Sequence, residues 1–174
     1  MLKYGVQPAA IAAVPLVRGV CRAVGMKVLS VPEATGTYQT DFKAKAEAAV
    51  RAIQSHDFVF VHVKAPDLAS HDRNPQRKVE MIRRIDGMVG QIIRNVDLGE
   101  TLIAVTADHT TPVHTGRHEG DPVPLAIAGP GVRVDHVKEF GERSCAVGGL
   151  GRIRGVDVMP ILMNLMGRVK EFGA

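Results

Sequence analysis

Apolar and polar positions fall along this chain in two alternating periods, one near three and a half residues and one of short continuous runs, and the alternation predicts an α/β fold with a largely parallel sheet. From about Ala9 to Val24 small and apolar residues dominate. Pro15 interrupts that run and Gly25 ends it, which predicts a helix with a kink or a late start. Lys27 to Val31 reads as a short strand. After the turn-rich VPEATGTY, Thr40 or Asp41 can cap a helix that carries Phe42, Ala46, Ala49, Val50 and Ile53 on one face and ends near His56. The run from Phe58 to Val63, FVFVHV, is continuous and rich in β-branched and aromatic residues, as in a strand covered on both sides.

A polar stretch, KAPDLASHDRN, follows and reads as a loop. Pro75 suits the first turn of a long helix reaching about Val96, with Val79, Ile82, Ile85, Val89 and Ile92 or Ile93 at helical spacing. Leu102 to Ala107 predicts another strand, followed by a second polar loop, ADHTTPVHTGRHEGDP, and by a strand in VPLAIAG. A last helix is expected over Val156 to Met166, with Asp157 near its start and Gly167 placed to end it.

Length and charge narrow the picture. The 174 residues suffice for one domain, 1–174, and not for two ordinary ones. No apolar run approaches the roughly 20 residues needed to span a bilayer. Pro8 and Pro15 break up the apolar start, and Arg18 and Arg22 follow where a signal peptide would be cleaved, so the chain reads as cytoplasmic. The net charge of +4 is spread along the chain, and with few aromatic residues this argues against a nucleic-acid partner and fits a small phosphorylated anion. Cys21 and Cys145 lack the spacing of a zinc or redox pair and read as buried thiols.

Both polar loops follow strands, and both hold Asp with His. The first carries Asp67 and His71; the second carries Asp108 and His109, with His114 and His118 downstream. Ligands of open α/β sheets gather beyond the carboxyl ends of strands. A single loop Asp or His is more often a cap or a solvated side chain. Two such pairs at successive strand ends, mixing carboxylate oxygen with imidazole nitrogen, point to a divalent ion such as Zn or Mn.

The strings APDLASHD, TADHTTP and HEGDPVPL, in that order, resemble the C-terminal half of the cofactor-independent phosphoglycerate mutases of the alkaline phosphatase superfamily, the archaeal branch above all. LVRGVCRAVGM, VPEATGTYQTDFKAKAEAA and GGLGRIRGVDVMPIL extend the resemblance over nearly the whole chain. It implies a three-layer α/β/α, alkaline-phosphatase-like fold that is incomplete on its N-terminal side, with residues 1–25 as a helical lead-in and 26–174 as a metal-binding core. It also implies one metal held by Asp67, His71 and His118, with His114 a bystander, and a second metal taking Asp108 and His109. Mn or Zn is expected, with Mg or Co as alternatives: two ions in a complete enzyme, one in this chain.

In the family a serine nucleophile and a further aspartate come from the N-terminal part, which nothing here resembles. Among Ser30, Ser55, Ser70 and Ser144 only Ser70 lies among the proposed ligands, where relatives usually have Gly. The expectation is a chain inactive until joined by the missing half, with Lys3 and Arg18 as candidate contacts to the phosphoglycerate substrate. It has two alternatives: a metal-dependent phosphohydrolase of the same superfamily, or a non-catalytic metal-binding remnant. A sheet left short would favour a homo-oligomer or a partner chain.

Overall fold

The computed structural model describes residues 4–169, which fall into two compact units. The first comprises residues up to Val96 together with Thr111–Arg117; the second comprises Asp97–Thr110 and the residues from His118 onward.

The first unit is built on a parallel sheet of three strands, β1 (Pro8–Ile11), β2 (Lys27–Val28) and β3 (Phe58–Val61), in the order β2-β1-β3. The expected helical lead-in over residues 1–25 begins instead as the central strand. Ala9 pairs with Lys27 on one side and Val59 on the other, and all four residues of β1 are buried. A short run of small apolar residues has no period that separates strand from helix, and a central strand covered on both faces accommodates alanine as readily as a helix does. Pro8 stands at the first position of the strand, where its missing N–H costs least.

The helix proper, α1 (Pro15–Ala23), starts at Pro15, whose fixed φ suits a first turn. It stops as foreseen at Gly25 (φ +85°), where the Met26 N–H reaches back to the Cys21 carbonyl at 2.9 Å. Cys21 is buried as expected, whereas Cys145 is half-buried.

Asp41 caps α2 (Phe42–Ile53), its Oδ1 accepting the Ala44 N–H at 2.9 Å. Phe42 and Ala46 pack with Met81 and Met88 of α4 (Pro75–Arg94), while Ala48 and Ala49 meet Ile11 of the central strand. The buried stripe of α4 is therefore Met81, Ile85, Met88 and Ile92 rather than the expected one through Val79 and Ile82, which are about half exposed. Both stripes satisfy a helical period, and the methionines, with their flexible thioethers, fill the gap against α2.

In the second unit β4 (Ile103–Thr106) and β5 (Leu125–Ala128) pair antiparallel, apart from the parallel sheet. Their register sets each larger residue opposite a smaller one: Ile103 faces Ala128, and Val105 faces Ala126. Gly129 (φ +132°) must be glycine, since a Cβ there would lie 2.6 Å from the Thr101 carbonyl oxygen. After the one-turn helix α5 (Glu142–Cys145), helix α6 (Gly155–Leu165) is fixed at its start by Asp157, which accepts the Arg154 backbone N–H at 3.1 Å and its guanidinium at 2.9 Å, and is closed by Gly167 (φ +65°). Among the described residues no helix is long and apolar enough to cross a membrane.

One charge lies inside the first unit. Lys45 of α2 is 1% exposed, and its Nζ donates to the His62 carbonyl at 3.0 Å. Burial disfavours the ammonium and pulls its pKa down to about 8. The folded chain then binds fewer protons than the unfolded chain between about pH 8 and the ordinary value of 10.5, so stability rises with pH across that window and the full cost is present below it. Denaturant titrations at pH 7.5 and 9.5 are expected to show a gain of about 1–2 kcal/mol that Lys45→Met abolishes; equal gains in both proteins would contradict the assignment.

Candidate metal centre

The stretch after β3 is a helix rather than the expected loop. Helix α3 (Ala65–His71) has Pro66 and Asp67 in its first turn, where the fixed φ of proline and a carboxylate both suit a helix start, and His71 in its last. Because it is a helix, Asp67 and His71 stand four residues apart on one face. The Asp67 Oδ2 and His71 Nε2 atoms are 3.2 Å apart.

The segment Thr111–Arg117 lies against α3 within the same unit. His71 Nδ1 is 2.9 Å from the Gly116 carbonyl oxygen. A carbonyl only accepts, so Nδ1 carries a hydrogen and Nε2 is the nitrogen that faces Asp67. Gly116 (φ +65°) makes the approach feasible, because a Cβ there would crowd the Ser70 carbonyl at 3.3 Å. Arg73, itself left-handed at φ +51°, ends α3 and donates through Nη2 to the Thr115 carbonyl at 3.3 Å.

Asp67 is held at both oxygens. Thr111 Oγ1 donates to Oδ1 at 2.7 Å, and the Lys64 ammonium contacts Oδ2. Burial raises the pKa of the Asp67 carboxyl, but the Lys64 and Thr111 hydrogen bonds and the Lys64 charge outweigh it, so the group stays below its ordinary value and is ionised at neutral pH. A carboxylate oxygen and an imidazole nitrogen 3.2 Å apart are donor types that a divalent cation takes. The donor set fits a divalent ion of the Zn or Mn kind, with the Nδ1 hydrogen bond to a carbonyl that such ligands commonly make.

In the second unit an isolated antiparallel bridge between Thr110 and Glu119 draws the Asp-His string alongside the residues that follow Arg117. The rings of His109 and His118 lie 3.8 Å apart at 31°, and His109 Nε2 is 3.6 Å from Asp108 Oδ2. Asp108 and His118 are exposed, and His109 is half-buried. His114 is exposed. Each unit thus gathers the expected residues it owns, Asp67 with His71 in one and Asp108, His109 and His118 in the other.

Ser70 is not a surface nucleophile. It is wholly buried, donating to the Pro66 carbonyl at 3.3 Å and accepting from Lys78 Nζ at 2.7 Å. Arg18 is half-exposed on α1, and Lys3 lies outside the described residues. Lys64, Thr111 and Lys78 are the participants that sequence reasoning missed. A signal for Lys64 was present: with Pro66 and Asp67 read as a first turn, Lys64 falls one turn before Asp67.

The chain belongs to the Metalloenzyme superfamily, whose model matches residues 1–165. Within that class it is similar to archaeal 2,3-bisphosphoglycerate-independent phosphoglycerate mutases. It is 51% identical over 172 residues to the one from Thermococcus kodakarensis, the match taking in 99% of this chain and 42% of the relative. Among solved structures, the PH0037 protein from Pyrococcus horikoshii matches with a TM-score of 0.97 at 52% identity, over 99% of this chain and 52% of that one. The cofactor-independent phosphoglycerate mutase from Thermoplasma acidophilum matches with a TM-score of 0.70 at 33% identity, over 93% and 37%. The expected α/β fold with a parallel sheet is shared with these structures. The chain spans less than half the length of the curated relatives it matches.

The balance at Asp67 is open to measurement. Removing the Lys64 ammonium leaves burial opposed by Thr111 and His71 alone, so Lys64→Met is expected to move the Asp67 carboxyl titration to higher pH when followed by carbon NMR of that carboxyl. An unmoved titration would show that Lys64 is not what keeps it ionised.

Proposed function

We propose that this chain carries the metal-binding part of a phosphoglycerate mutase of the cofactor-independent kind, which interconverts 2- and 3-phosphoglycerate. The observation that carries the reading is the pairing of Asp67 Oδ2 with His71 Nε2 at 3.2 Å, with the far nitrogen of the ring committed to a carbonyl. Identity of 51% over almost the whole chain to a phosphoglycerate mutase supports it.

In this reading Asp67, His71 and His118 are the ligands of one divalent ion, and Asp108 and His109 supply part of a second. The order in which the three motifs recur along the chain supports the assignment. Mn or Zn is the proposed ion. When bound, such an ion would neutralise charge on the phosphoryl oxygens and lower the pKa of an attacking hydroxyl. The contribution of this chain's own residues is to keep Asp67 ionised through Lys64 and Thr111, and to hold the His71 ring with Nε2 toward the carboxylate.

The serine nucleophile and one further aspartate are proposed to come from the part of the relatives that lies outside the match, either as a longer chain or as a partner. Ser70 is too deeply buried to take the role. Lys3 and Arg18 are the proposed cationic contacts for the phosphate and carboxylate of the substrate, and the cytoplasm, where phosphorylated glycerates are handled, is the proposed location. A homo-oligomer is a further proposal, open to sedimentation.

Elemental analysis and calorimetry with Mn and Zn test the centre. The protein is expected to bind a divalent ion, and Asp67→Ala, His71→Ala and His118→Ala are each expected to weaken binding by 100-fold or more, on the order of 3 kcal/mol for a lost ligand. Retention of the ion at unchanged affinity in any one of the three would remove that residue from the ligand set. Mutase turnover assayed with and without the complementary part of a relative then tests the activity, with turnover expected only in the mixture.

A further inference from the structure

Lys78, on the second turn of α4, lies outside every motif considered so far, yet its ammonium joins the two segments around Asp67. It donates to Ser70 Oγ at 2.7 Å and to the Thr111 carbonyl at 2.9 Å. Both acceptors are on buried residues, Ser70 at 0% and Thr111 at 5% exposure. Ser70 in turn donates to the Pro66 carbonyl, so the Lys78 contact reaches the turn of α3 on which Asp67 stands. Thr111 reaches the same carboxylate from the other side, its Oγ1 2.7 Å from Asp67 Oδ1.

The consequence is a choice between the two carboxylate oxygens. With Thr111 held at its carbonyl, its hydroxyl occupies Oδ1, and Oδ2 is the oxygen that faces His71 Nε2 and the Lys64 ammonium. We propose that Lys78 is a positioning residue for metal binding: it fixes Thr111 against α3 so that the Asp67 carboxylate presents Oδ2 to the ion. The inference rests on the reading of Asp67 and His71 as ligands, and it gives Lys78, Ser70 and Thr111 a role that the ligand motifs do not.

Charge and position predict opposite effects of removing Lys78. Loss of a nearby positive charge should by itself tighten a cation site, whereas loss of an outer contact that orients a ligand weakens binding, typically about 10- to 100-fold. The experiment is calorimetric Mn binding to the wild type, Lys78→Met, Thr111→Val, Thr111→Ser and the Lys78→Met/Thr111→Val pair. Far-UV circular dichroism and melting establish that each is folded at the temperature used. Lys78→Met is expected to bind Mn about 10-fold more weakly, Thr111→Ser to keep wild-type affinity, and the double variant to be no worse than Thr111→Val alone, because both act through one hydroxyl.

Affinity that is unchanged or tighter in Lys78→Met, or losses that add in the double variant, would overturn the positioning role while leaving the ligands in place. A wild type that takes up no Mn would overturn the metal reading itself, and this inference with it. Should Lys78→Met not fold, Thr111→Val and Thr111→Ser decide: a loss in the first that is absent in the second sustains the proposal, and equal affinities end it.

Discussion

Asp67 Oδ2 and His71 Nε2 are held 3.2 Å apart, with the Lys64 ammonium against the same carboxylate oxygen. The surroundings of both residues keep them so. The ring cannot turn over freely, because its Nδ1 is spent on the Gly116 carbonyl. The carboxylate cannot take up a proton cheaply, because Lys64 and Thr111 stabilise the ionised form against the opposing effect of burial. The local fold thus orients the carboxylate and the ring through a backbone carbonyl, a threonine hydroxyl and a lysine ammonium.

That arrangement depends on a helix where the sequence suggested a loop. KAPDLASHDRN is polar and short, and a window of seven residues carries too little periodicity to distinguish a helical turn from an irregular one. The signals present were Pro66 and Asp67 in a first turn and His71 in a last, which bear on helix ends rather than on an apolar face. The same blindness to short elements produced the error at the start of the chain, where Ala9 and Ala10 belong to a central strand: alanine packs equally well in either state when it is buried, and only pairing with β2 and β3 decided the matter.

Long, strongly patterned elements were legible: α2 with its Asp41 cap, α4 opening at Pro75, the glycine stops at Gly25 and Gly167. What the pattern left open was which of two apolar stripes on α4 faces inward, since Met81 and Met88 compete with Val79 and Ile82 at the same period. The Asp and His residues stood out in the sequence because they recur after strands. Their supports did not, since a lysine eight residues beyond Ser70 or a threonine 44 residues beyond Asp67 becomes a neighbour only through tertiary structure. That β4 and β5 pair antiparallel was not legible, because direction is set by how the intervening chain returns and short apolar runs do not encode it.

The seven residues Thr111–Arg117 belong to the first unit although the chain on either side of them belongs to the second. On the ribosome this makes the surroundings of Asp67 a late product. Helix α3 can form as soon as it emerges, but its contacts through Thr111 and Gly116 span 44 and 45 residues and must await β4, which is made in between. Contacts of such separation are reached slowly, since loop closure costs entropy before any contact repays it. A nascent chain halted before residue 111 would thus hold Asp67 and His71 without the Thr111 hydroxyl and the Gly116 carbonyl that aim them.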